Sequence, residues 1–339
     1  MSDHHALYGR YIKDDYNLID PYPVSGLPTT PINRVRPGAS FQITHTWTIN
    51  PKLINEARGA AGWSAQRRKP ASNTWQRETY GFAFPQIFNG GPLENGLPTT
   101  AITGFTGFSG PLFLFLSPNT DISFADNLTW MQGEHTVKAG ILLARNRKSQ
   151  NGTAQHTGSV AFNPSGNPRT TGNAFADTLL GNYRTYTEAN DDPVGYFRFT
   201  QVDWYLQDNW KINRHLSFEF GLRYQHGTPL YTTGNNVTNF DPKLYDPARA
   251  VTVTPAGLIV PNSGNRFNGL VRAGAGVPAD EAGRVPGANS PKAQSVPTGA
   301  PRGLYPVRNL FAPRLGFAWS PLGDIFLLAP IPTASHSGP

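Results

Sequence analysis

At 339 residues the chain is long enough to bury a sizeable core, and its 29 Lys and Arg against 22 Asp and Glu give a formal charge of +7. The cations are scattered rather than set in a helix-borne stripe, which argues against nucleic acid as a partner. The absence of cysteine removes disulfide scaffolds, thiol catalysis and Cys-based metal sites. Mean hydropathy is −0.40, and the longest greasy run, Pro111 to Leu116, falls far short of the roughly 18–20 apolar residues of a membrane helix.

The opening, Met1-Ser2-Asp3-His4-His5, has no charged segment leading into an apolar one, so either the true N-terminus lies upstream or an export reading is wrong. A first strand fits Ala6 to Lys13, with Leu7, Gly9, Tyr11 and Lys13 on one face. The second is cleaner: Phe41, Ile43, His45, Trp47 and Ile49 alternate with Gln42, Thr44, Thr46 and Thr48, the period-two pattern of a sheet with one greasy and one wet face. Asn50-Pro51-Lys52 supplies a turn. The third strand, Leu53 to Gln66, turns Leu53, Ala57, Gly59, Ala61 and Trp63 to the apolar side.

Residues 67–120 read as a long loop. The fourth strand carries Ile122, Phe124, Leu128 and Trp130 on one face, interrupted by Asp126, and Gln132-Gly133-Glu134 turns the chain. The fifth carries Val137, Ala139, Ile141 and Leu143 and ends in a cationic cluster, Arg145 to Lys148. A second long segment, 149–195, holds one short helix, Ala174 to Leu180, with Asn173 as its cap and Gly181 as its stop. The sixth and seventh strands are the clearest pair. Val202, Trp204, Leu206 and Trp210 alternate with Gln201, Asp203, Gln207 and Asn209. A turn at Ile212-Asn213-Arg214 leads to Leu216, Phe218, Phe220, Leu222 and Tyr224. A third long segment, 226–310, precedes an eighth strand with Pro313, Leu315, Phe317 and Trp319 on one face.

Every short turn falls at one end of this meander and every long loop at the other. Loops of such length are foreign to a compact soluble domain unless they carry function. Short turns on one side and long loops on the other are how an outer-membrane β-barrel is laid out, with its lipid face hidden in alternation. The fold class predicted is therefore all-β: an antiparallel up-and-down meander of about eight strands with long extracellular loops.

At these residues the chain resembles the barrel of TonB-dependent outer-membrane receptors, most closely the Oar-like branch. The resemblance rests on Ile49 to Arg58, Gly133 to Gly140, Phe175 to Gly181, Trp204 to Asn213, Gly221 to Tyr224 and Phe311 to Phe317, in that order and spacing. It implies a bacterial outer-membrane location and a barrel of about 22 strands. This chain then supplies residues 1–324 as a partial, internal piece of the wall, with 325–339 an aberrant or truncated tail where the alternation breaks. The family's plug and TonB-contacting segment are not found here. The resemblance implies uptake of a bulky nutrient of unknown identity, with loops 67–120, 149–195 and 226–310 carrying recognition. TonB would act only through the missing plug, so this segment alone would not transport.

Candidate sites follow from the same layout. Centring the last hairpin on Asn213 sets Asp203 opposite Arg223, Gln207 opposite Glu219, Trp204 opposite Leu222 and Leu206 opposite Phe220. That makes Asp203 and Arg223 a candidate lumen-lining pair, against a solvated cross-strand pair. Trp63, Trp130, Trp210 and Trp319 are candidates for the interfacial aromatic girdles, against ordinary core aromatics. Arg67, Arg68 and Lys69, with Arg145, Arg147 and Lys148, are candidates to face lipopolysaccharide, against solvated strand ends. The histidines show no metal-ligand spacing, with His156 and His226 assigned to loops. The Arg272-Ala273-Gly274-Ala275-Gly276 run follows no predicted strand. No cofactor and no catalytic constellation is expected. Two other functions stay open: a surface binding or adhesion module, and a secreted β-sandwich enzyme acting on glycans.

Overall fold

The structure, a computed structural model, describes residues 3–22, 30–90, 93–111, 115–152, 156–255 and 257–320, with residues 292–293 and 327–330 as backbone. Its wall is an antiparallel meander. We label its strands β1 (His5–Asp20), β2 (Ile32–Asn50), β3 (Leu53–Pro70), β4 (Phe115–Gln132), β5 (His135–Asn151), β6 (Val194–Asn213), β7 (Leu216–Gly227), β8 (Arg308–Trp319) and β9 (Leu327–Pro330). Each pairs with its neighbour in sequence, and the two-residue strand Tyr231–Thr232 adds to the upper end of β6. Among the described residues the sheet does not close, so β1 and β9 are its edges.

The three hairpins turn in two residues each. Asn50 faces Leu53, Gln132 faces His135 and Asn213 faces Leu216. In the first and third the Asn at the strand end accepts from the backbone N–H two residues on, Lys52 at 2.9 Å and His215 at 2.8 Å. This is the local bond that makes Asn a turn former. In the second, Gly133 takes a φ of +58°, which glycine adopts without steric cost.

The strands run well past their alternating cores. β6 spans 20 residues and β5 spans 17, whereas a tilted membrane strand needs about 9–11. Arg67 to Pro70, Phe115 to Thr120, Ser149 to Asn151 and Arg308 to Leu310 therefore belong to strands and not, as predicted, to loops. Beyond those cores no face need be apolar, so the periodic signal stops while backbone pairing continues. His226 likewise sits in β7, its Nδ1 2.8 Å from Asn309 Oδ1. Arg272 and Ala273 end a short strand, Leu270–Ala273, so that glycine run does follow a strand, and no α-helix follows it directly. The predicted tail lies outside the described residues except for β9. There pairing with Gly316–Trp319 continues past the point where alternation breaks, because main-chain bonds need no side-chain pattern.

The long segments fold on themselves. Residues 71–111 and 156–193 share a small sheet in which Thr99–Ile102 pairs with Phe105–Phe108 and runs parallel to Ser159–Phe162. The helix forms over Ala174–Leu180 as expected. Asn173 accepts from the N–H groups of Phe175 and Ala176 at 2.9 and 3.2 Å, and Gly181 closes it at a φ of +72°.

Candidate functional site

Register assigns each wall residue to a face. On one face stand Phe41, Ile43, Trp47, Ile122, Phe124, Leu128, Trp130, Ile141, Leu143, Trp204, Leu206, Phe220, Leu222 and Leu315, all exposed. A soluble monomer rarely exposes an apolar patch above roughly 300–600 Å², and this face carries large apolar side chains on β2, β4, β5, β6, β7 and β8, with the small residues Ala57, Gly59 and Ala61 of β3 between them. From Leu53 to Trp63 the band covers eleven residues of β3, ten residue steps. At about 3.3 Å per residue and about 45° of tilt that is about 23 Å, against the ~25 Å apolar band of an outer-membrane barrel. Asp126 interrupts the face as read from sequence, and its Oδ1 accepts from Asn55 Nδ2 at 2.8 Å. The pairing spares both groups an unmet hydrogen bond there.

Trp130, Trp210 and Trp319 lie at the short-turn end of this face, and Trp63 lies toward the loop end. Trp210 stacks on His135 at 5.2 Å, and His135 Nδ1 is 2.6 Å from Asp208 Oδ2. A second aromatic row crosses three strands nearer the loops: Trp204 on Tyr224 at 5.6 Å and Tyr224 on Phe311 at 5.0 Å. Sequence reasoning missed that row, because only the β6–β7–β8 register aligns these rings.

The opposite face is polar. Asp203, 3% exposed, receives Arg223 Nη2 at 2.6 Å, Gln201 Nε2 at 2.9 Å and Gln225 Nε2 at 3.2 Å, all on Oδ2. The contact between Asp203 and Arg223 was expected, but the pairing was not. Asp203 lies opposite Gln225, Tyr205 opposite Arg223, Gln207 opposite Gly221, Trp204 opposite Tyr224 and Leu206 opposite Leu222. The turn is Arg214-His215 and a bulge between Lys211 and Asn213 shifts the register. The ladder thus slides by two residues, which keeps every side chain on its predicted face. Asp203 reaches Arg223 diagonally, and Gln207 Nε2 reaches Glu219 Oε1 at 2.9 Å the same way. Tyr205 lies across Gly140 and donates to Asn127 Oδ1 at 2.9 Å; a Cβ at Gly140 would stand 2.4 Å from its ring. Beside these groups Lys138, Gln207, Gly221 and Arg314 form one row across four strands and line a groove of about 390 Å³.

Alternation divides the cationic clusters. Arg67, Lys69, Arg145 and Arg147 are exposed on the apolar-side face, above its greasy band. Arg68 and Lys148 turn to the polar face, where the Arg68 guanidinium lies 4.6 Å over the Phe115 ring. Arg198 of β6 stands directly opposite Arg147, a cation the sequence clusters did not include. Like charges facing across a ladder repel.

Loop segments 71–111 and 156–193 are fastened by Arg77, 2% exposed. Its Nε donates to Gly96 O at 2.9 Å and Nη1 to Phe84 O at 3.0 Å. Its Nη2 donates to Thr157 O at 2.8 Å and Tyr186 OH at 3.0 Å. Tyr186 in turn donates to Glu188 Oε2 at 2.5 Å, and the Glu188 carboxylate accepts from the N–H groups of Ile87 and Phe88 at 3.1 and 2.8 Å. Burial alone would raise the Glu188 carboxyl, but these donors and nearby Arg77 hold it below the ordinary glutamate value. Asp177 of the helix is fully buried and accepts from the Thr170 hydroxyl at 2.5 Å, Thr171 N at 2.7 Å and the Thr171 hydroxyl at 2.8 Å. Desolvation pushes its carboxyl up, yet the three hydrogen bonds outweigh it and leave the group below the usual aspartate value. Neither Arg77 nor Asp177 carries a periodic signal, so neither was visible in the sequence.

Residues 1–328 match the family model described as an outer membrane beta barrel domain. Similar solved structures include the copper transporter OprC, at 11% identity with a TM-score of 0.39, over 95% of this chain and 33% of that one. The outer membrane transporter YddB from Escherichia coli aligns at 14% identity and a TM-score of 0.38, over 67% of this chain and 26% of that one. The ferric-catecholate import receptor Fiu from E. coli K12 aligns at 11% and 0.38, over 94% and 39%. The chain thus spans between about a quarter and two fifths of the length of these structures. No curated protein matches it.

Proposed function

The chain belongs to the outer membrane beta barrel domain family, and on that premise we propose that it is wall and loop cap of a TonB-dependent transporter for a bulky nutrient. Its place is the bacterial outer membrane. The observation that carries the proposal is the open wall itself: among the described residues, nine meander strands with one greasy face, one polar face and folded loops at a single end. An open sheet edge is not tolerated in lipid, so further strands complete the barrel around these nine. The polar face then lines the lumen. Asp203 with Arg223, and the row of Lys138, Gln207 and Arg314, offer charged and amide groups to a plug. TonB acts through that plug and not through this wall, and we assign no catalytic step or cofactor to these residues.

Trp130, Trp210 and Trp319 then sit at the periplasmic interface, with Trp63 and the Trp204–Tyr224–Phe311 row toward the outer one. Arg67, Lys69, Arg145 and Arg147 meet lipopolysaccharide phosphates, joined by Arg198; Arg68 and Lys148 take no part, because they face the lumen. An anion between Arg147 and Arg198 would offset their repulsion.

Reading the DNA on both sides of this sequence tests the transporter assignment. Plug-coding sequence in frame upstream and further alternating strands downstream are expected. A neighbouring gene with its own stop codon upstream, and no strands downstream, would defeat it.

A further inference from the structure

Between the two loop segments tied by Arg77 lies a cleft of about 440 Å³, within the roughly 300–1,000 Å³ of small-molecule sites. Six aromatic residues line it: Phe82, Phe84, Phe108, Phe162, Tyr183 and Tyr186. Phe84 meets Phe82 at 5.5 Å and 62°, and Tyr186 at 5.9 Å and 90°. Such edge contacts leave ring faces unstacked, except the Phe84 face that the Arg77 guanidinium covers at 5.0 Å. No charged side chain is among the described residues that line it.

Apart from the exposed Tyr183 hydroxyl, its side-chain hydroxyl donors are spent inside the protein. The Thr100 hydroxyl donates to Pro98 O at 3.3 Å, the Thr178 hydroxyl to Ala174 O at 2.8 Å, and Tyr186 to Glu188. A charged ligand entering here would shed its hydration without a partner. A sugar would leave several hydroxyls unmet, at a cost for each. A flat uncharged ring meets neither penalty and finds aromatic partners on several sides. The walls are also fixed in advance: Arg77 holds the backbone at Phe84, and Glu188 holds it at Ile87 and Phe88. Binding therefore orders little, which favours affinity.

We propose that this cleft is a binding site for an uncharged aromatic small molecule. The proposal names a ligand class for the recognition role above and rests on that reading for its biological purpose, while binding itself requires no transport.

The test uses the full-length protein in detergent micelles and ¹⁹F NMR of 4-fluorophenol, a phenol uncharged at neutral pH. Two comparison ligands are 4-fluorobenzoate, which adds a charge to the same ring, and methyl β-D-glucoside, which replaces the ring by a sugar. Saturable broadening by 4-fluorophenol is expected, with no competition from either comparison ligand. Phe82→Ala, and separately Phe108→Ala, should weaken it roughly three- to tenfold, with hydrogen exchange of the Arg77-linked backbone unchanged to show that the cleft still forms. Equal binding of the benzoate, displacement by the glucoside, or affinity unchanged in both variants overturns the proposal. Saturable binding, with no plug-coding or strand-coding sequence in the flanking DNA, supports the cleft and removes the transporter reading. Flanking plug and strands without binding at the cleft do the reverse.

Discussion

Replacing Arg77 by methionine keeps most of the buried stem and deletes the guanidinium. Four hydrogen bonds disappear, three of them to backbone carbonyls of Gly96, Phe84 and Thr157 and one to Tyr186. The contact between the guanidinium and the Phe84 ring, at 5.0 Å, goes with them. At about 1 kcal/mol net per bond the loop cap loses about 4 kcal/mol, which is roughly a thousandfold in its opening equilibrium. The loss is local, since Arg77 touches no wall strand in these bonds. Hydrogen exchange read by mass spectrometry should show it in peptides covering 82–97 and 156–188, with β5, β6 and β7 unchanged. Loss of protection below tenfold in those peptides would refute the view that Arg77 fastens the two loops. Equal loss in the wall would refute the view that the cap opens by itself.

Gly140→Val drives a side chain into the Tyr205 ring and Asn127 Oδ1, 2.4 and 2.7 Å from the new Cβ; urea unfolding should show a loss of about 1–3 kcal/mol, partly relieved in a Tyr205→Ala background, which removes the closer clash. The Asp177 carboxyl lies below its ordinary value in the folded loop. Its stabilisation is therefore complete above the unfolded aspartate value near about 4 and lost as pH falls through the depressed one. Exchange protection of residues 170–182 should fall with acidification below about pH 4, and Asp177→Asn should flatten that dependence. Neutralising Arg67, Lys69, Arg145 and Arg147 together should reduce lipopolysaccharide co-purified with the protein, whereas Arg68→Gln with Lys148→Gln should leave it unchanged; equal retention in both sets removes the lipopolysaccharide role.

The wall was legible in the sequence because lipid on one side and water on the other impose a period of two. Trp204, Leu206 and Phe220 announce their face one by one. The same physics explains where the reading stopped. Arg67 to Pro70 and Ser149 to Asn151 continue their strands beyond the lipid, where no alternation is enforced. The Asp203–Arg223 contact was found through a register two residues off, because the bulge at Ile212 leaves no mark on the alternation. Period two also divided what proximity in sequence had joined: Arg67 and Lys69 share a face that Arg68 does not. The loop cap was illegible for a different reason. Arg77 bonds to Thr157 and Tyr186, residues 80 and 109 positions away, and nothing in the local pattern at Arg77 announces those partners. The helix at Ala174–Leu180 was readable because its cap, Asn173, and its stop, Gly181, are local.

In the proposed barrel one face of β6 meets lipid and the other meets the lumen. The chain has no cysteine, so each position from Gln201 to Gln207 can be replaced by cysteine in turn, spin-labelled, and measured in the protein inserted in outer-membrane lipid. Collision with oxygen, which concentrates in lipid, should dominate at 202, 204 and 206. Collision with a water-soluble nickel chelate should dominate at 201, 203, 205 and 207. Equal accessibility along the strand, or nickel reaching 204 and 206 as readily as 205, would contradict the barrel.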